Sequence, residues 1–215
     1  HDFVKYSYHV SKHLGDRVRN WITHNEPWCV SYLGYIEGRK PPGLINKWPK
    51  SLATAHHLLL SHGMAIPEIR NNSKQSEVGI TLNLNTAIPA SGSTYDEDAC
   101  RFYDGQFNRL YLNPLYKNEY PDDVFEYLKT KSLISESDLN FIKQSDLNII
   151  STKTDFLGVN YYSRAVIRNE EIDEKKNLPR TVDMGPKTDF GWEIYPPGIC
   201  DLLMRLKNEY KVQNI

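Results

Sequence analysis

Glu26 is the residue in this chain best placed to do chemistry. It lies in the run Trp21-Ile22-Thr23-His24-Asn25-Glu26-Pro27-Trp28. Trp21 and Ile22 suit a pleated, packed surface, and Pro27 cannot donate to a ladder. The run therefore reads as a short buried strand that ends in a polar cluster. Glu26 then stands at the strand's end, between the amide of Asn25 and the indole of Trp28. Apolar neighbours raise a carboxyl pKa, and a carboxyl poised near neutral pH is what general acid catalysis needs. A solitary glutamate after a strand otherwise reads as a solvated loop residue. The chemical reading depends on what else gathers at the same end.

Two further strands end in polar groups. Val78, Ile80 and Leu82 alternate, which predicts a strand over 77–83, with Asn83 and Asn85 at its exit. Residues 155–163 are apolar almost to their end and predict a third strand, as in a parallel sheet buried on both faces. Its period of two puts Asn160 and Tyr162 on one face and Tyr161 on the other. If the strands are parallel, Glu26, Asn83, Asn160 and Tyr162 share one rim.

Helices must separate these strands. Phe3, Tyr6, Val10 and Leu14 recur at helical spacing, with Gly15 as a stop. Residues 50–70 form an amphipathic pattern that Pro67 should kink or end. Residues 96–112 are aromatic and helical in period, until Asn113-Pro114 and then Tyr120-Pro121 interrupt. Helices follow over 122–131 and over 136–147, the latter capped by Ser135. Pro197 opens a last helix at its first position. Between Cys29 and Pro49, Gly and Pro are too dense for a long element, and a loop of that length is usually functional or disordered. Residues 164–191 read as a polar excursion with a charge run from Asn169 to Lys176, and Val212 to Ile215 as the first residues of another strand. Alternating strands and helices with polar strand ends is the grammar of parallel α/β proteins. In a closed (β/α)8 barrel, the active site lies at that end of the strands.

Composition narrows the function. Lys plus Arg is 26 and Asp plus Glu 27, for a net charge of -1, so no basic excess points to nucleic acid. No apolar run approaches a membrane span. Cys29, Cys100 and Cys200 are odd in number and lack zinc spacing, which suits free thiols in a reducing, cytoplasmic setting. His57 and His62 are five residues apart, not four, and read as packing histidines rather than metal ligands.

The string Thr23-His24-Asn25-Glu26-Pro27 resembles the acid/base motif of family 1 glycoside hydrolases, the β-glucosidase and β-galactosidase group. Further segments match in order: Gly34-Tyr35 through Pro42-Gly43, Asn113-Pro114-Leu115 through Tyr120-Pro121, Asp155 through Ser163, and Asp189 through Pro196. The second of these, with the residues just before it, departs from the family pattern at Leu110, Asn113 and Asn118, which are packing positions. The resemblance implies part of a (β/α)8 TIM barrel, roughly strands 4 to 6 with their helices, in which 1–215 is one partial domain with no internal boundary.

The resemblance also implies roles. Glu26 would be the acid/base of a retaining β-glycosidase, and Tyr162 would orient the nucleophile. Asn25 would donate to the sugar's 2-hydroxyl, Asn160 would lie in the polar cluster around the nucleophile, and Trp28 and Trp192 would offer stacking faces; Asn83 joins the substrate-binding set by its place at the same rim. The family's nucleophile follows a segment like Val212-Gln213-Asn214-Ile215. The expectation is therefore a chain that supplies the acid/base half of the site, lacks the nucleophile and is inactive alone. No metal or organic cofactor is implied. The expected partner is a β-linked glucoside or oligosaccharide, with the rest of the barrel, or self-association, covering the exposed sheet. A 6-phospho-β-glycosidase, a non-catalytic sugar-binding barrel and a split assembly with a second chain are the alternatives.

Overall fold

The computed structural model describes residues 1–173 and 178–215, with side chains given outside 170–180. Helix α1 (Asp2–Leu14) leads to strand β1 (Asn20–Asn25), and helices α2 (Pro27–Tyr35) and α3 (Trp48–Asn72) lead to β2 (Glu77–Asn83). A short strand β3 (Ala87–Pro89) precedes α4 (Thr94–Asp104), a π-helical turn (Gly105–Arg109), α5 (Leu110–Tyr116) and α6 (Asp122–Thr130). A 3-10 turn (Glu136–Leu139) and α7 (Gln144–Ile150) then feed β4 (Phe156–Asn160). The chain continues through β5 (Ala165–Asp173), β6 (Leu178–Val182) and α8 (Pro197–Glu209).

Among the described residues there are two three-stranded sheets. The main one has the order β1-β2-β4, with both pairings parallel. Because the strands run the same way, the residues that end each of them share one rim: Asn25 and Glu26, Asn83, and Asn160. Asn83 pairs in register with Asn160. The second sheet has the order β3-β5-β6, with β3 and β5 parallel and β5 and β6 antiparallel.

The core lies between the central strand and the helices behind it. Val78 and Ile80 of β2 are fully buried and Leu82 nearly so. Ile80 and Leu82 share a cluster with Trp48, Leu52 and Leu59 of α3 and Leu112 of α5, also buried, and Val78 packs separately with Ala65, Ile66 and Ile69. Each fully buried aliphatic side chain of this kind contributes ~1.5–3 kcal/mol. The approach of α3 to α7 requires a glycine: a Cβ on Gly63 would stand 2.0 Å from the backbone oxygen of Ile149. Asp104, at the end of α4, takes both Arg109 (2.9 Å) and Arg205 of α8 (3.0 Å to Oδ2), which ties α8 across the π-helical turn.

Several expectations are corrected. Strand β1 is not buried: it is an edge of the main sheet and Ile22 is 54% exposed. Cys29 to Tyr35 is helical, because Pro27 starts α2 at its first turn and the breakers gather only after Gly34. Pro67 does not end α3, which runs on to Asn72 with Ala65, Ile66 and Ile69 packed against Val78. Pro114 likewise sits inside α5. The single helix expected over 136–147 is split: Ser135 does cap its start, but the 3-10 turn stops at Leu139 and α7 begins at Gln144. The third strand covers five residues rather than nine, so the alternation predicted to reach Tyr162 stops at Asn160; only Leu157 within it is buried. The excursion over 164–191 contains the antiparallel strands β5 and β6. Beyond Asn169, the side chains of its charge run lie outside the described residues. No strand forms at 212–215, although the Leu157 amide donates to the Asn214 carbonyl (3.0 Å).

Candidate active site

Glu26 sits where β1 turns into α2. Its φ of 51° is left-handed, a conformation in which a residue with a side chain is strained. Hydrogen bonds hold it there: its amide donates to the Thr81 carbonyl (2.9 Å), and its carbonyl accepts from the Cys29 amide (2.9 Å). The carboxylate has a donor on each oxygen. Asn160 Nδ2 donates to Oε1 (2.7 Å) and the Cys29 thiol to Oε2 (3.1 Å). Asn160 Nδ2 also reaches Asn25 Oδ1 (3.2 Å), so the first and third strands are joined through side chains at their ends.

These groups open on a cleft of about 480 Å³ at the C-terminal ends of the parallel strands. Glu26, Trp28, Asn83, Asn160, Tyr162 and Trp192 all line it. Asn25 is exposed and stands beside the cleft, next to Glu26 and in contact with Asn160. Asn83 is buried at the cleft's floor. Tyr162 is 54% exposed; desolvation first, and then the negative charge of Glu26, hold its phenol above the ordinary tyrosine value.

Two aromatic walls face the cleft. On one, Trp28 packs on Phe107 (centroids 4.6 Å) and Phe107 stacks with Tyr103 (5.7 Å). The Trp28 indole donates to Gln106 Oε1 (3.3 Å), which fixes its ring. On the other, Trp192 packs on Tyr162 (4.7 Å) and on Phe190 (5.3 Å). Trp192 is 44% exposed, so it is a surface aromatic at the cleft mouth rather than a core residue. Flat apolar faces flanking polar groups suit the face of a sugar ring or an aryl group.

Sequence reasoning missed Cys29, Gln106, Tyr103 and Phe107 as site residues. Cys29 was legible in principle: three positions after Glu26, it lies one helical turn along α2 once that helix is recognised. The π-helical turn that presents Gln106 and Phe107 has no comparable signal. Three of the cleft's acidic groups are accounted for among the described residues. Glu26 has the partners above, Glu193 is gripped by Arg164 on both oxygens (2.9 and 2.7 Å), and Asp183 pairs with Lys187. Among the described residues, no group of three or more His, Cys, Asp or Glu could hold a metal ion, and no helix is long and apolar enough to cross a membrane.

The family model for glycosyl hydrolase family 1 matches residues 1–215. The chain belongs to that family. Beta-glucosidase A of Acetivibrio thermocellus is 39% identical over 215 residues, which cover 99% of this chain and 47% of that protein. A 6-phospho-beta-galactosidase of Clostridium acetobutylicum is 31% identical over 97% of this chain and 48% of its own length. A crystal structure of a beta-glucosidase from Exiguobacterium marinum superposes with a TM-score of 0.88 at 36% identity, over 97% of this chain and 46% of that one. The beta-glucosidase from Thermotoga maritima in complex with glucoimidazole gives a TM-score of 0.83 at 35% identity, over 98% and 45%. The chain thus spans about half the length of the glycosyl hydrolase family 1 relatives it matches, and its sheet is part of their α/β barrel.

Proposed function

We propose that the polypeptide carrying this sequence is a retaining β-glycosidase acting on terminal β-glucosides or related β-glycosides, with Glu26 as its acid/base. The observation that carries this is the place of Glu26: at the C-terminal rim of the parallel strands, inside the cleft, with a donor on each carboxylate oxygen. Strands β1, β2 and β4 would be strands 4 to 6 of a (β/α)8 barrel, and 1–215 one partial domain of it.

In this reading Glu26 protonates the glycosidic oxygen as the bond to the leaving group breaks. It then takes a proton from the water that releases the sugar. The nucleophile that attacks the anomeric carbon is a second carboxylate, roughly 5–5.5 Å from Glu26 in a retaining enzyme. Glu193 is unsuited to that role, because its ion pair with Arg164 occupies both oxygens. By the family resemblance the nucleophile would come from outside these residues, and the 215-residue chain would be inactive alone. Tyr162 would donate to that nucleophile. Asn25 would reach the sugar's 2-hydroxyl, and Asn83 and Asn160 would complete the polar cluster. Trp28 and Trp192 would flank the leaving group. The three cysteines are free thiols, which suits a reducing compartment.

The test compares leaving groups. In the polypeptide that carries this sequence, Glu26→Gln should lower turnover of methyl β-glucoside by about 10²–10⁴-fold. A nitrophenyl β-glucoside, whose leaving group needs little protonation, should lose less in the glycosyl-transfer step. Equal losses on both substrates would remove the acid/base assignment. The 6-phospho-β-glycosidase reading rests on the Clostridium relative; a preference for 6-phosphoglucosides over plain glucosides would establish it instead.

A further inference from the structure

Four consecutive residues after β4 each grip the segment that carries Trp192. The Tyr161 hydroxyl donates to the Tyr195 carbonyl (3.0 Å). The Tyr162 ring packs on Trp192. The Ser163 hydroxyl donates to the Glu193 carbonyl (3.0 Å). Arg164 forms a two-pronged pair with the Glu193 carboxylate, and its guanidinium lies 3.9 Å from the centre of the Tyr195 ring. Both partners of the ion pair are sheltered, with side chains 15% and 7% exposed. Planar guanidinium and carboxylate held by two parallel bonds fix orientation as well as distance.

What they hold is a small hairpin. The Ile194 amide donates to the Pro186 carbonyl (2.8 Å) and the Thr188 amide to the Trp192 carbonyl (2.8 Å). The Gly191 amide closes the tip on the Thr188 carbonyl (2.8 Å), with Gly191 at a φ of 81° that suits only glycine. The tip is bare: Phe190 is 83% exposed, and Trp192 has Phe190 and Tyr162 as its ring partners among the described residues. The hairpin's internal bonds set its shape, and its placement over the cleft comes from the grip of residues 161–164 at its base.

We propose that the Arg164–Glu193 ion pair is a positioning device for leaving-group recognition, holding the 186–194 hairpin so that Trp192 packs on Tyr162 at the cleft mouth. This rests on the glycosidase reading above. Neither residue touches the reacting atoms; the pair acts through Trp192. Its loss lets the hairpin swing, which weakens binding of an aromatic leaving group and leaves the sugar end of the site as it was.

The experiment uses the polypeptide that carries this sequence. Arg164→Met leaves a buried carboxylate unpaired and is prone to misfolding, so the double variant Arg164→Met/Glu193→Gln, with no uncompensated charge, is made beside it. With phenyl β-glucoside, KM should rise about tenfold while kcat stays within about twofold; with methyl β-glucoside both should stay within about twofold. The Trp192 contribution to fluorescence, taken as the difference from Trp192→Phe in each background, should move to longer wavelength and become more accessible to acrylamide. A lower melting temperature alone would not produce that split between substrates. Equal effects on both glucosides, or unchanged Trp192 emission and quenching, would overturn the proposal. If the unaltered protein hydrolyses neither glucoside, the glycosidase reading fails, and the Trp192 emission still decides whether the ion pair places the hairpin.

Discussion

The Cys29 thiol donates to Glu26 Oε2 across 3.1 Å, one helical turn after the residue it serves. Burial first, and then the hydrogen bond to Glu26 and its charge, push the thiol up to about 12. The two groups are linked: whatever removes the charge on Glu26 makes Cys29 easier to ionise. Glu26→Gln should therefore speed alkylation of Cys29 by iodoacetamide several-fold at pH 8–9. Peptide mass spectrometry reads this, with exposed Cys200 as the internal reference. Equal rates in both proteins would show that the contact is not felt by the thiol.

Asn160 links the strand ends through Glu26 and Asn25. A hydrogen bond to a charged group contributes ~1.5–3 kcal/mol. In the full-length polypeptide, Asn160→Ala should reduce kcat/KM for a β-glucoside by about 10- to 100-fold. Unchanged kcat/KM in a variant with native circular dichroism would leave Asn160 no part in holding the carboxylate.

The back of β1 carries an acid-sensitive pair. His62 is fully buried, with Nδ1 against Thr23 Oγ1 (2.6 Å) and, among the described residues, no hydrogen-bond partner for Nε2. Burial first, and then the nearby His24, lower it to about 3. His24 stacks on Phe3 (4.1 Å), and burial lowers it to about 4. Both are neutral when folded and take up protons near pH 6.5 when unfolded. Their contribution to stability is thus intact above pH 6.5 and is lost as pH falls from 6.5 towards 4 and 3. Urea midpoints should drop steadily over that window by an amount equivalent to a few kcal/mol. Replacing both histidines should flatten the dependence; a slope that survives the double replacement would place its origin elsewhere.

Gly63 is a point of forced contact. A methyl there would meet the backbone of Ile149, which cannot rotate away, so α3 and α7 would have to part. Gly63→Ala should cost about 1–3 kcal/mol or more, despite the better helix propensity of alanine. Thermal unfolding measures it, and a stabilised variant would show that the two helices shift freely.

The chain's strand ends were readable because chemistry and period coincide there. Glu26, Asn83 and Asn160 follow apolar runs, and parallel pairing brings them to one rim as expected. The helices around Pro67 and Pro114 were not readable as continuous, because tertiary packing of Ile66, Ile69, Leu112 and Leu115 outweighs the hydrogen bond each proline removes. Within these residues β1 and β4 are the outer strands of the main sheet, which is why Ile22 and most of β4 are not buried. Arg164 and Glu193 are 29 positions apart in sequence, and neither residue alone announces the other.

The grip of residues 161–164 on residues 192–195 also governs how this region can be exchanged. In a chimera between relatives, a crossover between positions 164 and 193 would separate an arginine from the carboxylate it was matched to. The hairpin and the four residues after β4 should be inherited together, as one cassette.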